Sequence, residues 1–325
     1  MNRTAIALVV SASLAGASCA GVKRPMVRNA TPPPGASLWV EPTDLATRDL
    51  LNGPWGADHA PDLWDVFTLV DTKRSGVNLG LTVKDSEGRE WSVKQPYPGG
   101  LDAEGPVEVV LSRLLSAVGY HQPPVYYLPA FRLKDDWGTH IEAGGRFRLK
   151  EPTLKDLGPW KWEENPFVGS KPYQGLIVML MMFNGTDLKN SNNTLYERRR
   201  GDLVEQWYAV RDVGAALGDS HPLVPRKGHP DSFERQPFIL GVNKGYVQFA
   251  YDGWYKNLVR ERITTDDVAW ASNLLGQLTP QQWEAAFNAG GYAPEVAKRF
   301  IAKLREKIEQ GRSVGARADL DTAKQ

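Results

Sequence analysis

Alternation of apolar and polar residues opens the folded part of the chain. Val77, Leu79, Leu81 and Val83 interleave with Asn78, Gly80, Thr82 and Lys84, a period of two that marks a strand with one buried face. Asp85-Ser-Glu-Gly88 supplies a hairpin turn. Glu90 to Lys94 then runs back, with Trp91 and Val93 on one face and Ser92 and Lys94 on the other. Phe67 to Gln95 thus reads as two strands and a turn. The period then lengthens: Val107, Val110, Leu111, Leu114 and Val118 make a helical stripe, opened by Gly105-Pro106 and closed by Gly119. Val125-Tyr-Tyr-Leu128 and Arg146-Phe-Arg-Leu149 read as further strands, which completes an antiparallel sheet with one helix.

The second half changes character. Pro159 to Asn165, with Trp160 and Trp162, reads as a linker. Ser170 or Lys171 before Pro172 starts a helix whose run from Leu176 to Phe183 is apolar on every side, so it belongs in the core; Met179, Met181 and Met182 are core filling. A polar stretch follows, then a hairpin: Thr194-Leu-Tyr196 out, Arg200-Gly-Asp202 turning, Gln206 to Val210 back. Beyond Gly214 the pattern turns helical. Thr265 caps a helix with Val268, Ala271, Leu274, Leu275 and Leu278; Thr279-Pro280 starts another; Pro294 starts a third, stopped by Gly311. Strands first and helices later predict an α+β fold.

Composition narrows the class. At 325 residues, 42% hydrophobic and 10% aromatic, the chain has the make-up of a globular protein with a sizeable core. The 39 basic and 38 acidic residues nearly cancel, which argues against a nucleic-acid binder. Arg198-Arg199-Arg200 reads as a solvated hairpin tip. His59, His121, His140, His221 and His229 show no metal spacing, and no G-x-S-x-G marks a hydrolase. Asp135-Asp136 and Glu163-Glu164 read as exposed loops.

The N-terminus reads as a targeting segment. Arg3, an apolar run from Thr4 to Gly16 and then Ala17-Ser18-Cys19-Ala20 make a bacterial secretory signal. Cys19 is the only cysteine, and its setting resembles a lipobox in which the thiol is lipidated, although Gly16 stands where a Leu-like residue is usual. The expected organisation is a signal over 1–19, a Pro/Gly-rich tether over 20–60 in which Trp39 and Trp55 are able to pack back, a folded unit over 61–152, a second over 153–312 and a polar tail over 313–325. The expected location is exported and membrane-anchored, at a bacterial cell envelope.

Candidate chemistry lies in the polar stretch Asn184-Gly-Thr-Asp187-Leu-Lys189-Asn-Ser-Asn192-Asn193, with Asp212-Val-Gly214 twenty residues beyond Asn192. An Asp, a Lys and an Asn at this spacing, followed by Asp-x-Gly, form the polar layout of a phosphoryl-transfer site. A strand lysine, Lys94, and an early-helix glutamate, Glu108, add an ion pair of the kind that fixes a lysine on phosphates. Glu104 competes for that role but reads as a loop or N-terminal charge ahead of the helix.

On these residues the chain resembles the protein-kinase-like superfamily, in its atypical branches: HipA-like serine kinases, phosphoinositide-kinase-like proteins and secretory-pathway kinases. The resemblance runs from about Leu69 to Gly218 and implies a two-lobed fold, a small sheet lobe with one helix and a mainly helical lobe. It implies that Asp187 accepts or orients the acceptor proton and that Lys189 neutralises γ-phosphate charge. Asn192 and Asp212 would ligate Mg2+, and Lys94 with Glu108 would meet the phosphates of ATP. The loop carrying Ser75, Gly76 and Gly80 would cover the nucleotide. The departures are plain: Gly185-Thr186 replaces His-Arg, no Ala-Pro-Glu follows Asp212, and neither G-x-G-x-x-G nor a P-loop is present. The expected partners are a nucleotide, an unidentified hydroxyl acceptor and, through a lipid, a membrane. Two alternatives stay open: a catalytically inactive scaffold or binding lipoprotein of the same fold, and AMP transfer.

Overall fold

The computed structural model describes residues 27–28, 31–73, 80–96, 103–219, 226–251, 253 and 255–322. Short strands β1 (Val27–Arg28) and β2 (Ala36–Ser37) precede β3 (Val66–Lys73), β4 (Gly80–Lys84) and β5 (Glu90–Lys94). Helix α1 (Glu104–Ala117) separates these from the long hairpin of β6 (Val125–Asp135) and β7 (Gly138–Leu149). The region read as two strands therefore holds three, and the sheet is not open. Its order is β3-β4-β5-β7-β6, and β6 returns to β3 in parallel, Val66 opposite Arg132, closing a five-stranded barrel. Phe67, Val83, Trp91, Val93, Phe131 and Phe147, each at most 2% exposed, fill its interior. Rings of that size fill the interior of so small a barrel, and closure leaves no unpaired edge. Alternation had given the faces of these strands; it carries no information on which edges meet.

The rest of the chain forms β8 (Leu154–Asp156), β9 (Glu164–Asn165), α2 (Lys171–Met182), β10 (Asn193–Arg200), β11 (Leu203–Val210), α3 (Pro230–Arg235), β12 (Ile239–Asn243), β13 (Tyr246–Phe249), α4 (Thr265–Leu275), α5 (Pro280–Ala289) and α6 (Pro294–Thr322). The β10–β11 hairpin lies in a sheet of order β2-β11-β10-β8. The β12–β13 hairpin corrects the expectation of an all-helical region beyond Gly214. It turns at Lys244-Gly245, both at positive φ (50° and 78°), a geometry that favours a tight hairpin.

Helix ends follow their caps. Ser170 Oγ accepts from Tyr173 N at 3.3 Å to start α2. Thr264, one residue before the expected Thr265, closes a capping box with Asp267, and Thr279 does so with Gln282. Gly311 does not stop α6, which runs through the segment read as a polar tail. A Cβ at Gly311 would lie 2.1 Å from Ser272 Oγ, and one at Gly315 would lie 2.5 Å from Ala269 Cβ. These glycines let α6 approach α4 closely.

The main core gathers α2, whose residues from Leu176 to Phe183 are all buried, with α4, α5 and α6. Trp160 and Trp162, read as linker, are buried there. So is the stripe of α1 (Val107, Val110, Leu111, Leu114), which joins this core and not the barrel interior. Part of the stretch read as a tether packs as well: Leu38, Leu45 and Leu50 are buried, Trp39 Nε1 donates to Val118 O at 2.6 Å, and Trp55 Nε1 donates to Gln122 O at 3.0 Å. No helix among the described residues is long and apolar enough to cross a membrane.

Candidate active site

The polar stretch after α2 is shaped by its backbone. Asn184 takes a left-handed conformation (φ 55°) and Gly185 N donates to Leu180 O at 2.7 Å, which ends the helix sharply. Thr186 N then donates to Ala215 O at 3.2 Å, and Leu217 N to Phe183 O at 2.9 Å, so this loop is tied to the segment that follows Asp212. Further on, Asn192 Nδ2 donates to Asp187 O at 2.7 Å, and Arg211 N donates to Asn192 O at 2.9 Å. The result is one small void, of about 20 Å³, lined by Asp187, Asn192, Arg211 and Asp212. Lys189 Nζ lies 3.1 Å from Asp187 Oδ1. Asp187 and Asn192 from one loop and Asp212 from the next segment thus border a space of about one water, beside apolar neighbours such as Leu180 and Val213.

Asp212 also meets the outer face of the barrel. Because β5 pairs with β7 in the register Lys94–Arg146 and Ser92–Arg148, the side chains of Lys94, Arg146 and Arg148 share the outward face while Trp91, Val93 and Phe147 fill the inside. Gly80 lies opposite Lys94 on β4; Ser75 and Gly76 lie outside the described residues, as does Cys19. Arg146 Nη2 is 3.8 Å and Arg148 Nη1 is 4.0 Å from Asp212 Oδ1. Asp212 itself has φ 54°, which turns its side chain toward the barrel wall.

The lysine's partner differs from expectation. Lys94 Nζ lies 2.8 Å from Glu104 Oε2 and 3.6 Å from Glu108 Oε2, while Arg146 Nε takes Glu108 Oε1 at 3.0 Å. Of the two readings of Glu104, the N-terminal charge holds and the loop does not: α1 begins at it, two residues before Pro106. Lys227 pairs with the other oxygen of Glu104, and Ala103 N donates to Lys227 O at 3.3 Å. The segment after Asp212 therefore also grips the start of α1. Gly214 is needed at that contact, since a Cβ there would lie 2.5 Å from Glu104 O.

The electrostatics follow. Burial alone would raise the Asp212 carboxyl, but Arg148, then Lys94, Arg146 and Arg211, hold it below the ordinary carboxylate value. Burial disfavours the Lys94 ammonium, yet Glu108, Glu104 and Asp212 raise it overall. Glu108 is the farther carboxylate and the more deeply buried one, so its field is less screened. Burial likewise opposes the Glu104 carboxylate, and Lys94 and Lys227 overcome it and lower its pKa.

A magnesium ion fits the donor set. Asn192 points its amide nitrogen at Asp187 O, which turns the amide oxygen away from that bond, and Asp212 adds a carboxylate on the same void. No cluster of three or more His, Cys, Asp or Glu able to hold a metal exists among the described residues. An ion here would rest on one carboxylate, one amide and oxygens of the substrate, as Mg2+ commonly does. Sequence reasoning missed Arg146, Arg148, Arg211 and Lys227. Arg146-Phe-Arg-Leu149 did carry a signal: two arginines on one face of a strand whose other face is apolar.

No family model and no curated protein matches the chain. Two solved structures to which it is similar are kinases. The proinflammatory kinase CtkA of Helicobacter pylori is 10% identical over 78% of this chain and 98% of its own, with a TM-score of 0.38. The Rio2 kinase of Chaetomium thermophilum, in a complex with ADP/Mg2+ and phosphoaspartate, is 15% identical over 74% of this chain and 72% of its own, with a TM-score of 0.32. Scores of that size support no transfer of residue roles.

Proposed function

We propose that the chain is an atypical kinase-like phosphotransferase that moves the γ-phosphoryl group of ATP, with Mg2+, to a hydroxyl acceptor. One observation carries this reading: Asp187, Asn192 and Asp212 line a single small void, and Asp212 also lies within 4.0 Å of Arg146 and Arg148 on the barrel face that carries Lys94. Cations and hard oxygen donors meet there in the arrangement a polyphosphate and its metal require. The two-lobed description, with the barrel as the smaller lobe, belongs to the same proposal.

Asp187 and Lys189 stand at the accessible side of the site, 30% and 44% exposed, where an acceptor can reach them. The acceptor oxygen forms the new P–O bond and its proton passes to Asp187. The bond from the γ-phosphorus to the bridging oxygen breaks, and that electron pair leaves with ADP. Lys189 and Lys94 balance the charge on the phosphoryl oxygens, and Glu104 and Glu108 orient Lys94. Asn192 and Asp212 would hold Mg2+, which neutralises phosphate charge when bound. Lipidation at Cys19 would hold the domain at a membrane surface.

A scaffold without activity is the second reading. It is favoured by the guanidinium groups of Arg146 and Arg148, which already balance the Asp212 carboxylate that a metal would use. A thermal-shift titration with ATP, GTP and Mg2+ separates the two. At a hundred times its Kd a ligand adds about 2.7 kcal/mol, roughly 4 °C for a chain of this size. The enzyme reading expects a Mg2+-dependent rise that is lost in Asp212→Ala, and acceptor labelling that is lost in Asp187→Asn without loss of fold. No shift with any nucleotide would establish the scaffold instead.

A further inference from the structure

Arg148 stands on the barrel wall with a single, long ion-pair contact among the described residues. Arg146 beside it has nearer oxygens: Nε lies 3.0 Å from Glu108 Oε1, an ion pair without hydrogen-bond geometry, and Nη1 donates to Ser92 O at 3.0 Å. Lys94 is held by Glu104 and Glu108. Arg148 Nη1 is buried with no hydrogen-bond partner among the described residues, and its nearest carboxylate oxygen, Asp212 Oδ1, is 4.0 Å away. That distance allows Coulombic attraction and is too long for a hydrogen bond. A buried guanidinium donor without an acceptor is an unusual state, because the planar fork normally meets a carboxylate or phosphate in pairs of short bonds.

We propose that Arg148 is a direct ligand of the nucleotide's phosphates, held loosely against Asp212 in the free protein, so that the site binds a polyphosphate without a metal ion. The proposal deepens the phosphotransferase reading and rests on it. Strand register places Arg148 on the same outward face as Lys94, two residues along from Lys94's partner Arg146, and both arginines lie within 4.0 Å of Asp212. Asp212 keeps the cations from repelling one another while the site is empty. A phosphate offers more oxygens than that one carboxylate, at closer range, and satisfies the donor that Asp212 does not. Asn192 and Asp212 remain the donors for a metal in the transfer step; Arg148 governs binding.

The test titrates the full chain with inorganic tripolyphosphate, ATP and adenosine, in excess EDTA and in Mg2+, following melting temperature and heat of binding. Wild-type protein is expected to bind tripolyphosphate and ATP in EDTA with a Kd within about tenfold of the Mg2+ value. Arg148→Gln should weaken both in EDTA by at least about tenfold, the effect of one lost charge-assisted contact. Adenosine binding should not change, and Arg148→Lys should recover part of the loss. The EDTA titration of the wild type stands alone if a variant does not fold. Binding in Mg2+ that disappears in EDTA overturns the role of Arg148 and leaves the phosphotransferase intact, and so does an Arg148→Gln protein that binds tripolyphosphate as well as the wild type. No effect of ATP in either condition overturns both.

Discussion

Asp212 is placed where two demands on a carboxylate compete. Its left-handed backbone aims it at Arg146 and Arg148, and those guanidinium groups keep it ionised despite burial. A carboxyl whose folded pKa lies below its unfolded value adds stability above the unfolded value, near pH 4, and loses it as pH falls toward the folded one. Wild-type protein should therefore lose its stability advantage over Asp212→Asn as pH drops below about 4, by up to about 1.4 kcal/mol for each unit of pKa difference. Urea unfolding of both proteins between pH 3 and 7 reads this directly. Parallel curves would mean that the arginines do not act on Asp212 in solution. The four positions Lys94, Asp187, Asn192 and Asp212 were legible in sequence because each belongs to a short local pattern. Arg148 was not, because its role depends on a strand register with Ser92, 56 positions away in the chain. Glu104 was misplaced for a smaller reason: Pro106 fits a first turn, but the turn begins two residues earlier.

Helix α1 connects the parts of the site. Its stripe is buried with α2 and α5 in the helical core, yet its first turn touches the barrel wall through Lys94 and the Asp212 segment through Lys227 and Gly214. Gly105 belongs to the same contact, since a Cβ there would lie 3.2 Å from Arg146 N. Gly214→Ala should push the start of α1 away from this wall. Overpacking of this kind costs about 1–3 kcal/mol, and Lys94 would lose its nearest carboxylate. The expected result is a lower melting temperature together with weaker ATP binding, although Gly214 has no side chain to contribute. Unchanged affinity in a folded Gly214→Ala protein would show that Glu104 does not position Lys94. Helices of this kind were readable from their stripes and caps. Barrel closure, the β12–β13 hairpin and the passage of α6 through Gly311 were not, since each is decided by a partner distant in sequence.

Across the whole molecule, the helical core exists to hold the end of α2, where the polar stretch begins. Lys307 of α6 reaches into that core and donates to Met182 O at 3.0 Å, with its ammonium 4.3 Å from the Phe233 ring. Burial, reinforced by Lys303 and opposed by Glu306, pulls this lysine down to about 7. The carbonyl and the ring both favour the charged form, but they do not replace the lost water. Below pH 7 the group is protonated in both folded and unfolded chains, so it adds no slope. Between about pH 7 and its unfolded value near 10.4, the unfolded chain binds the extra proton, and stability should rise by at most about 1.4 kcal/mol per pH unit. Lys307→Met, of similar length and without charge, should remove that rise and be at least as stable as wild type at pH 7. Unfolding measured from pH 6 to 10 decides it. If wild type shows no more upward slope than Lys307→Met, the ammonium stays charged in the folded protein. In that case the carbonyl at the end of α2 and the Phe233 ring outweigh burial, and Lys307 anchors the active-site loop as a cation.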